Sequence, residues 1–420
     1  MLARTLLYPN DAILSNGLEC SMPEIVDVVV VGGGIMGVCL AYELARRTLR
    51  VALLEAYALG SGTTGSGFAW LNATSKTESS EPYFRLNAEA LRRYETLVLE
   101  HKAESLGIHS GGTLYWARNS EAQQVATLRR RAERLQVLGY PYTTVNAHEM
   151  EILEPSVRFR RVPNEGVEGL YAPADKWVEP LRLIRFLANY ARNHNAAIKE
   201  YCPIESFHTD MQGRVSMVRA GGVEYATRSL VLAAGLQTSA LIRLLTSNPQ
   251  SLQSVPIKQI PGVLVDTAPQ STEGQMRRVL YPPDSGGLHF RPTASGGLLV
   301  GADDTDAIAH GESLDTKRLS DIGKSLLVRV SDWLPQLSLL ETVKGMSTYL
   351  CMRPVPQDDH PIVGALPGVK GVYVAVTHSG LTLAPLLAHL LAEEIMLKQI
   401  PPQLADYRPD RFLQMPHASK

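Results

Sequence analysis

At 420 residues the chain is too long for one ordinary core, so two domains are the default. Its 41 basic and 42 acidic residues leave a net charge of −1, which gives no reason to expect a nucleic-acid or anionic-membrane partner, and 45% apolar with 20% charged residues suits a soluble globular protein. Four cysteines, Cys20, Cys39, Cys202 and Cys351, are scattered without C-x-x-C spacing, which argues against a disulfide framework or zinc site and suits a reducing, cytoplasmic compartment.

Residues 1–23 lack the sustained apolar core and cleavage site of a secretory signal and read as an N-terminal extension, with a faint transit-peptide character at Arg4. The organising stretch follows. Val28 to Val31 read as a buried strand, Gly32, Gly34 and Gly37 stand at G-x-G-x-x-G spacing, Val38 to Arg47 read as a helix, and Val51 to Leu54 as a second strand ending in Glu55. This is a βαβ unit with the dinucleotide fingerprint. Gly32 allows the tight turn, Gly34 lets the backbone approach a pyrophosphate, and Gly37 lets the helix pack on the sheet. The pyrophosphate sits at the positive helix end. Glu55, 18 positions after Gly37, is placed to accept from ribose hydroxyls and to repel a 2′-phosphate.

Ser61-Gly62-Thr63-Thr64-Gly65-Ser66-Gly67 is too small and polar for a core element. It either wraps a cofactor with N–H and hydroxyl donors or is a surface loop. The apolar period predicts helices over 82–106 and 119–138, the second with Val125, Leu128, Ala132 and Leu135 on one face and Gly139 placed to end it. Arg129, Arg130, Arg131 and Arg134 interleave with Glu121 and Glu133, the pattern of a solvated helix face. A turn-rich crossing at 169–180 leads into a helix with Pro180 in its first turn and Leu181, Ile184, Leu187 and Ala188 inward. A strand pair is expected near Ile198–Tyr201 and Arg214–Arg219. Arg228 to Gly235 then reads as a buried strand ending on Ala233, Ala234 and Gly235, small enough for a ligand to approach closely.

From 255 to 301 the pattern changes. Val263–Val265, Leu288–Arg291 and Leu298–Val300, bounded by Pro and Gly-Gly turns, read as short strands of an antiparallel sheet. Helix returns at 316–333. The closing region runs from Cys351-Met352-Arg353-Pro354 through Asp358 and Pro361-Ile362-Val363-Gly364 to strand Val372–Val376. His378-Ser379-Gly380-Leu381-Thr382-Leu383 then opens an apolar helix through about Leu397, a second anion-friendly helix start. No apolar run reaches the length of a bilayer span; 371–396 comes nearest and is interrupted by His378, Pro385, His389, Glu393 and Glu394. No internal repeat, Ser-His-Asp triad or metal constellation is visible.

Taken together, the fingerprint with Glu55, the loop 61–67, the strand Leu230–Gly235 and the C-terminal Arg353-Pro354…Asp358…Pro361-Ile362-Val363-Gly364 with His378-Ser379-Gly380 resemble the D-amino-acid oxidase superfamily of FAD-dependent oxidoreductases, over residues 25 to about 397. The likeness is to its glycine oxidase, sarcosine oxidase and D-amino-acid dehydrogenase branch. It implies an α/β fold: a Rossmann-like FAD-binding domain from 24–80, 180–250 and 340–400, with an inserted mixed or antiparallel-sheet substrate domain from 81–179 and 251–339, and a C-terminal tail, 401–420. It implies FAD contacts at Gly32, Gly34, Ile35, Met36, Gly37, Glu55, Ala56, Ser61, Gly62, Thr63, Thr64, Ser66, Ile204, Ala234 and Gly235. Gly380, Leu381, Thr382 and Leu383 would hold the flavin's pyrimidine edge, where a helix N-terminus stabilises charge gained on reduction. In these relatives the arginine of the Arg-Pro motif often pairs with the substrate carboxylate, so Arg353 is the expected clamp, with a structural salt bridge to a carboxylate such as Asp358 as the alternative. His378 contacts flavin or substrate, or is a satisfied core histidine. Cys351-Met352 matches the pair that carries covalent flavin in monomeric sarcosine oxidase, but Arg353-Pro354 follows it; non-covalent FAD with a small buried cysteine is expected, and an S-flavin link at Cys351 is the alternative.

The implied reaction oxidises the C–N bond of a small or secondary amino acid or amine by hydride transfer to flavin N5, with the imine product hydrolysed. Oxygen, a quinone or another flavoprotein would reoxidise the cofactor. The competing readings are a nicotinamide dehydrogenase, a non-catalytic FAD-binding assembly factor and a flavin domain in tRNA modification; the near-neutral charge disfavours the last.

Overall fold

The structure, a computed structural model, describes residues 22–269, 276–337 and 339–413. The extension up to residue 21 with Cys20, and the tail beyond 413, lie outside the described residues. Val28–Val31 is buried on both faces, as four consecutive valines require. It sits inside a six-stranded sheet in the order Ala197–Lys199, Val51–Leu54, Val28–Val31, Leu230–Leu232, Val372–Val376, Ile362–Ala365. The first five strands are parallel and the last antiparallel. Parallel pairing has one consequence for function: it lines up the carboxyl ends of Val31, Leu54, Leu232 and Val376 along one sheet edge. The glycine turn, Glu55, Ala233–Gly235 and His378–Gly380 therefore emerge side by side.

The expected strand pair near 198 and 214 forms differently. Ala197–Lys199 joins the six-stranded sheet beside Val51–Leu54, while Val215–Ala220 pairs with Ile204–Thr209 and Val223–Ala226 in a separate four-stranded sheet. Tyr201, in the left-handed region at φ 54°, turns the chain from one sheet to the other.

The second large layer is an eight-stranded sheet that includes Ile257–Asp266, His289–Pro292 and Leu298–Gly301. Its pairings are antiparallel except Val279–Tyr281 beside Thr113–Arg118, so it is mixed. Ser347–Pro356 runs antiparallel to Ile257–Asp266 along its whole length. The segment 340–400 thus contributes to both large sheets, and Arg353 stands on the second. Helix Thr316–Ser331 covers this sheet with Ile322, Leu326, Leu327 and Val330.

Helix Ile35–Ala45 is buried all round, packed between Pro180–Asn193 and Gly380–Leu397. Glu81–His101 closes the layer against Gly380–Leu397, with Phe84, Leu91 and Leu97 in the shared core. The expected helix 82–106 is broken at Lys102 (φ 66°) into Glu81–His101 and Ala103–Leu106. The helix expected over 119–138 is Ala122–Val137; Val125, Leu128 and Leu135 are buried, and Arg129 forms an exposed pair with Glu168. Glu43, buried on Ile35–Ala45, binds Arg47, Arg93 and His389 and so ties three helices together. Burial pushes its carboxyl up, but the hydrogen bonds from His389 and Arg47 and the Arg93 charge outweigh this and hold it at about 2.

Gly380–Leu397 is long and apolar enough to span a bilayer by length and composition, yet 67% of it is buried inside the fold. That burial marks a core helix, each fully buried leucine contributing about 1.5–3 kcal/mol. Residues 402–413 dock on the molecule: Leu404 and Tyr407 are buried, Arg408 forks onto Glu394, and Arg411 pairs with Asp358.

Candidate active site

The three glycines of the turn do different jobs. A β-carbon at Gly37 would overlap the Gly32 carbonyl oxygen, so only glycine lets the helix start this close to the strand. Gly32 itself has φ +108°, and a β-carbon there would lie 2.6 Å from the Ala233 oxygen. Gly34 is less crowded than the other two: a β-carbon there would meet no backbone within 4 Å, and its nearest neighbour would be the Thr64 Oγ1 at 3.3 Å. A side chain there would fill space that the glycine leaves free at the start of the helix. Neither Ile35–Ala45 nor Gly380–Leu397 has a side-chain N-cap or an acidic residue in its first turn, so both positive helix ends suit an anionic cofactor. These features fit a dinucleotide.

Glu55 stands at the end of its strand with its carboxylate accepting from the Gly33 N–H (2.5 Å) and the Tyr57 N–H (2.9 Å). Ala56, Ser61 and Gly62 are exposed beside it. The Cys202 N–H donates to the Glu55 carbonyl at 2.8 Å, which brings the start of the Ile204–Thr209 strand next to Ala56. Loop 61–67 is not a free surface loop: Thr63–Ser66 is one helical turn. Thr64 is buried and its Oγ1 accepts from the Ile35 N–H at 3.1 Å, while the Thr63 hydroxyl donates to the Met352 carbonyl at 2.5 Å. Gly67 faces Leu381, Gly380 faces Ile35, and Gly235 faces Pro354. Gly34, Ala234, Gly235, Met352, Gly380 and Leu381 are partly exposed inside an otherwise buried region, the signature of a cleft wall. Thr382 donates to the Trp70 carbonyl at 3.3 Å and Tyr94 to the Leu381 carbonyl at 2.5 Å, fixing the first turn of the last helix, where Leu383 is fully buried.

Two charged groups stand beside this cleft. Arg353 is half-buried; its Nη2 donates to the Pro261 carbonyl and to Asp306 Oδ2, each at 2.8 Å, while its Nε has no hydrogen-bond partner among the described residues. Asp358, the carboxylate named from the sequence as the alternative partner, goes to Arg411 instead. Burial pushes the Asp306 carboxyl up and Arg353 opposes that shift. Lys76, which pattern reading passes over, has its ammonium 5.9 Å from the Tyr83 ring, and that ammonium makes no hydrogen bond or ion pair among the described residues. Tyr83 in turn meets the Ser379 hydroxyl at 3.1 Å, so Lys76 belongs to the start of the last helix. His378 is pushed down to about 3 by burial and then by the charges of Lys76 and Arg353, so its ring is neutral at physiological pH.

An aromatic wall completes the cleft. Phe68 meets His289 edge-on at 4.7 Å, His289 stacks on Tyr281 at 5.1 Å, and Tyr281 lies 5.2 Å from Trp70. Ala69, between Phe68 and Trp70, is held at φ 59°, a left-handed conformation that is rare for alanine and accumulates at functional sites. Periodicity could not reveal this wall, because Phe68, Trp70, Tyr281 and His289 come from irregular segments and short strands. The one available signal was that Phe68 and Trp70 directly follow the small-residue loop.

Cys351 is buried, its thiol 3.8 Å from the Thr63 carbonyl, and burial pushes its pKa up. That disfavours the thiolate that a covalent link requires.

Comparison with known proteins agrees with this geometry. Residues 27–394 match the family described as FAD dependent oxidoreductase. Glycine oxidase of Geobacillus kaustophilus (strain HTA426) is 27% identical over 401 residues, covering 92% of this chain and 97% of that protein. An opine oxidase chain of Agrobacterium tumefaciens (strain Ach5) is 25% identical over 396 residues, covering 92% and 98%. Among solved structures, L-proline dehydrogenase from P. horikoshii superimposes with a TM-score of 0.76 at 19% identity, covering 94% of this chain and 99% of that one, a likeness of fold. The chain belongs to the family of FAD-dependent oxidoreductases, with FAD as its cofactor.

Proposed function

We propose that this enzyme oxidises the C–N bond of a small or secondary amino acid, with the six-stranded sheet and its helices serving the cofactor and the eight-stranded sheet presenting the substrate. The observation that carries this is the placement of Arg353, and of Lys76 whose ammonium has no ion-pair partner among the described residues, around a neutral His378 at the start of Gly380–Leu397. An amino acid brings a carboxylate, and a half-buried cation without a counterion favours one. The names of the relatives, glycine oxidase and opine oxidase, point to the same substrate class.

FAD supplies the hydride acceptor at its N5. The chain supplies the rest. Gly32 to Gly37, Glu55 and Thr64 would hold the nucleotide side; Gly380 to Thr382 would present backbone N–H groups to the pyrimidine edge, whereas the Leu383 N–H is donated to the Ser379 carbonyl at 2.9 Å. Arg353 and Lys76 orient the substrate carboxylate, Arg353 through the donors that Asp306 leaves unused. Phe68, Trp70, Tyr281 and His289 exclude water and set the amine's approach. His378 stays neutral, so it adds no further positive charge and does not repel a substrate ammonium group. The substrate amine must be neutral to react, and two nearby cations favour its deprotonated form.

The test is an anaerobic screen of glycine, N-methylated glycines, proline and dicarboxylic secondary amines against the purified yellow enzyme, followed by admission of air. Loss of the oxidised flavin absorbance with an amino acid, and little with its decarboxylated amine, supports the reading. Equal bleaching by both sinks it. Recovery of the absorbance in air distinguishes an oxidase from an enzyme that needs a quinone or a second flavoprotein.

A further inference from the structure

Arg291 is one of the most deeply buried cations in the molecule, 4% exposed, and has no carboxylate within ion-pair distance among the described residues. Its planar group is flanked by two aromatic rings, Trp177 at 4.7 Å and Phe68 at 5.5 Å. Nε donates to the Phe68 carbonyl at 2.6 Å and Nη1 to the Pro292 carbonyl at 2.8 Å. Nη2 has no hydrogen-bond partner among the described residues. Arg291 lines a cleft of about 590 Å³ whose walls include Trp177, Leu299, Tyr349, Thr293 and Ser295, and whose rim reaches Gly65 and Gly67 of the cofactor loop. Two carboxylates also line this cleft and act on Arg291 from beyond ion-pair distance: Glu179, which is engaged by His109 at 3.0 Å and Arg182 at 3.4 Å, and Asp266, which is exposed. Arg182 and Arg185 line the same cleft.

A buried guanidinium without a counterion is costly unless an anion reaches it. Nε and Nη1 are committed to carbonyls and two rings pack on the group, so Nη2 is the donor left for a ligand in the cleft that Arg291 lines. We propose that this cleft is a binding site for a small carboxylate, separate from the amine-oxidising cleft at Arg353. A planar carboxylate lies edge to edge with the guanidinium in the plane between Phe68 and Trp177. A tetrahedral oxyanion projects out of that plane and meets the rings.

The experiment is calorimetric titration of the FAD-loaded enzyme with succinate, and separately with inorganic phosphate, at constant ionic strength in chloride. A saturable succinate site is expected, with phosphate weaker by roughly tenfold or more. The site disappears in Arg291→Gln and persists in Arg353→Gln, which separates it from the amino-acid clamp and from any failure of the proposed reaction. Because Arg291 is buried, a second variant is needed at an exposed position: Ser295→Glu leaves the core untouched and places a negative charge at the rim, weakening succinate by roughly tenfold. No saturable succinate site, a site indifferent to both Arg291→Gln and Ser295→Glu, or tighter phosphate than succinate overturns the proposal.

Discussion

The two sides of the active-site cleft are built on opposite principles. The cofactor side is made of backbone: glycines, uncapped helix ends and the edge of a parallel sheet. The proposed substrate side is made of side chains from distant segments: Lys76, Tyr281, His289, Asp306, Arg353 and His378. A backbone cradle has no rotamers to order, and its Glu55 carboxylate is held by the Gly33 and Tyr57 N–H groups, so it is rigid and locally encoded. A wall of charged and aromatic side chains has to balance burial against pairing, and its properties depend on neighbours far away in sequence.

The comparison breaks most sharply at the glycines. Gly37→Ala, with its β-carbon overlapping the Gly32 carbonyl, is expected to destabilise the fold by about 3 kcal/mol or more, visible as a lowered Tm. Gly34→Val meets no backbone and is expected to keep the fold but lose the yellow colour on gel filtration. A Gly34→Val protein that keeps its full complement of FAD removes the cradle assignment.

On the substrate side, Arg353→Ala is expected to lower kcat/KM for an amino acid by roughly tenfold to a hundredfold, the worth of a charge-assisted hydrogen bond of about 1.5–3 kcal/mol, while FAD stays bound. Arg353→Lys restores only part, because the fork to Asp306 and the substrate is lost. Unchanged kcat/KM in Arg353→Ala would show that Lys76 carries the carboxylate alone, a result that Lys76→Gln then checks.

A third test concerns what holds Lys76 in place. Thr74, in the same turn, donates at 2.6 Å to Asp175, which also accepts from Tyr140 at 2.6 Å. Asp175 is fully buried, and burial outweighs these hydrogen bonds, pushing its carboxyl up to about 6. A raised carboxyl stabilises the fold when protonated; that contribution is full below about 3.8 and is lost as pH rises through about 6. Denaturant unfolding at pH 5 and pH 8 should show the second half of this loss, up to about 1.4 kcal/mol, and Asp175→Asn should flatten it. An identical pH dependence in the variant rejects the assignment.

The smallest effect is expected at Cys351. Acid precipitation should release all the flavin, and Cys351→Ala should change neither the amount bound nor its release. Flavin that stays with the pellet in the wild type but not in the variant establishes a covalent link.

Legibility follows the same division. The glycine turn, Glu55, the strand Leu230–Leu232 and the start of the last helix can be read directly, because each is a short local pattern with one mechanical cause. Thr64 reads, from composition, as a donor to the cofactor; in the fold its hydroxyl accepts from the Ile35 N–H, a cross-loop bond that composition cannot show. Arg353 is marked by its motif, but its partner is not. Asp358 is near in sequence, whereas Asp306 is brought to Arg353 by the helix after strand Leu298–Gly301. Lys76 carries no periodic or motif signal; its meaning comes from the absence of a partner among the described residues, which only three-dimensional neighbours define.

The sequence by itself determined the dinucleotide unit, the change from parallel to largely antiparallel sheet and the helix that closes the chain, because hydrophobic period, glycine spacing and helix polarity act over a few residues. The tertiary structure alone decided which sheet Ala197–Lys199 and Ser347–Pro356 join, that Gly380–Leu397 is a core helix, and which cations keep a partner. Strand partners and ion pairs are chosen by competition among segments hundreds of residues apart. The winner depends on burial and approach, which a linear pattern does not contain.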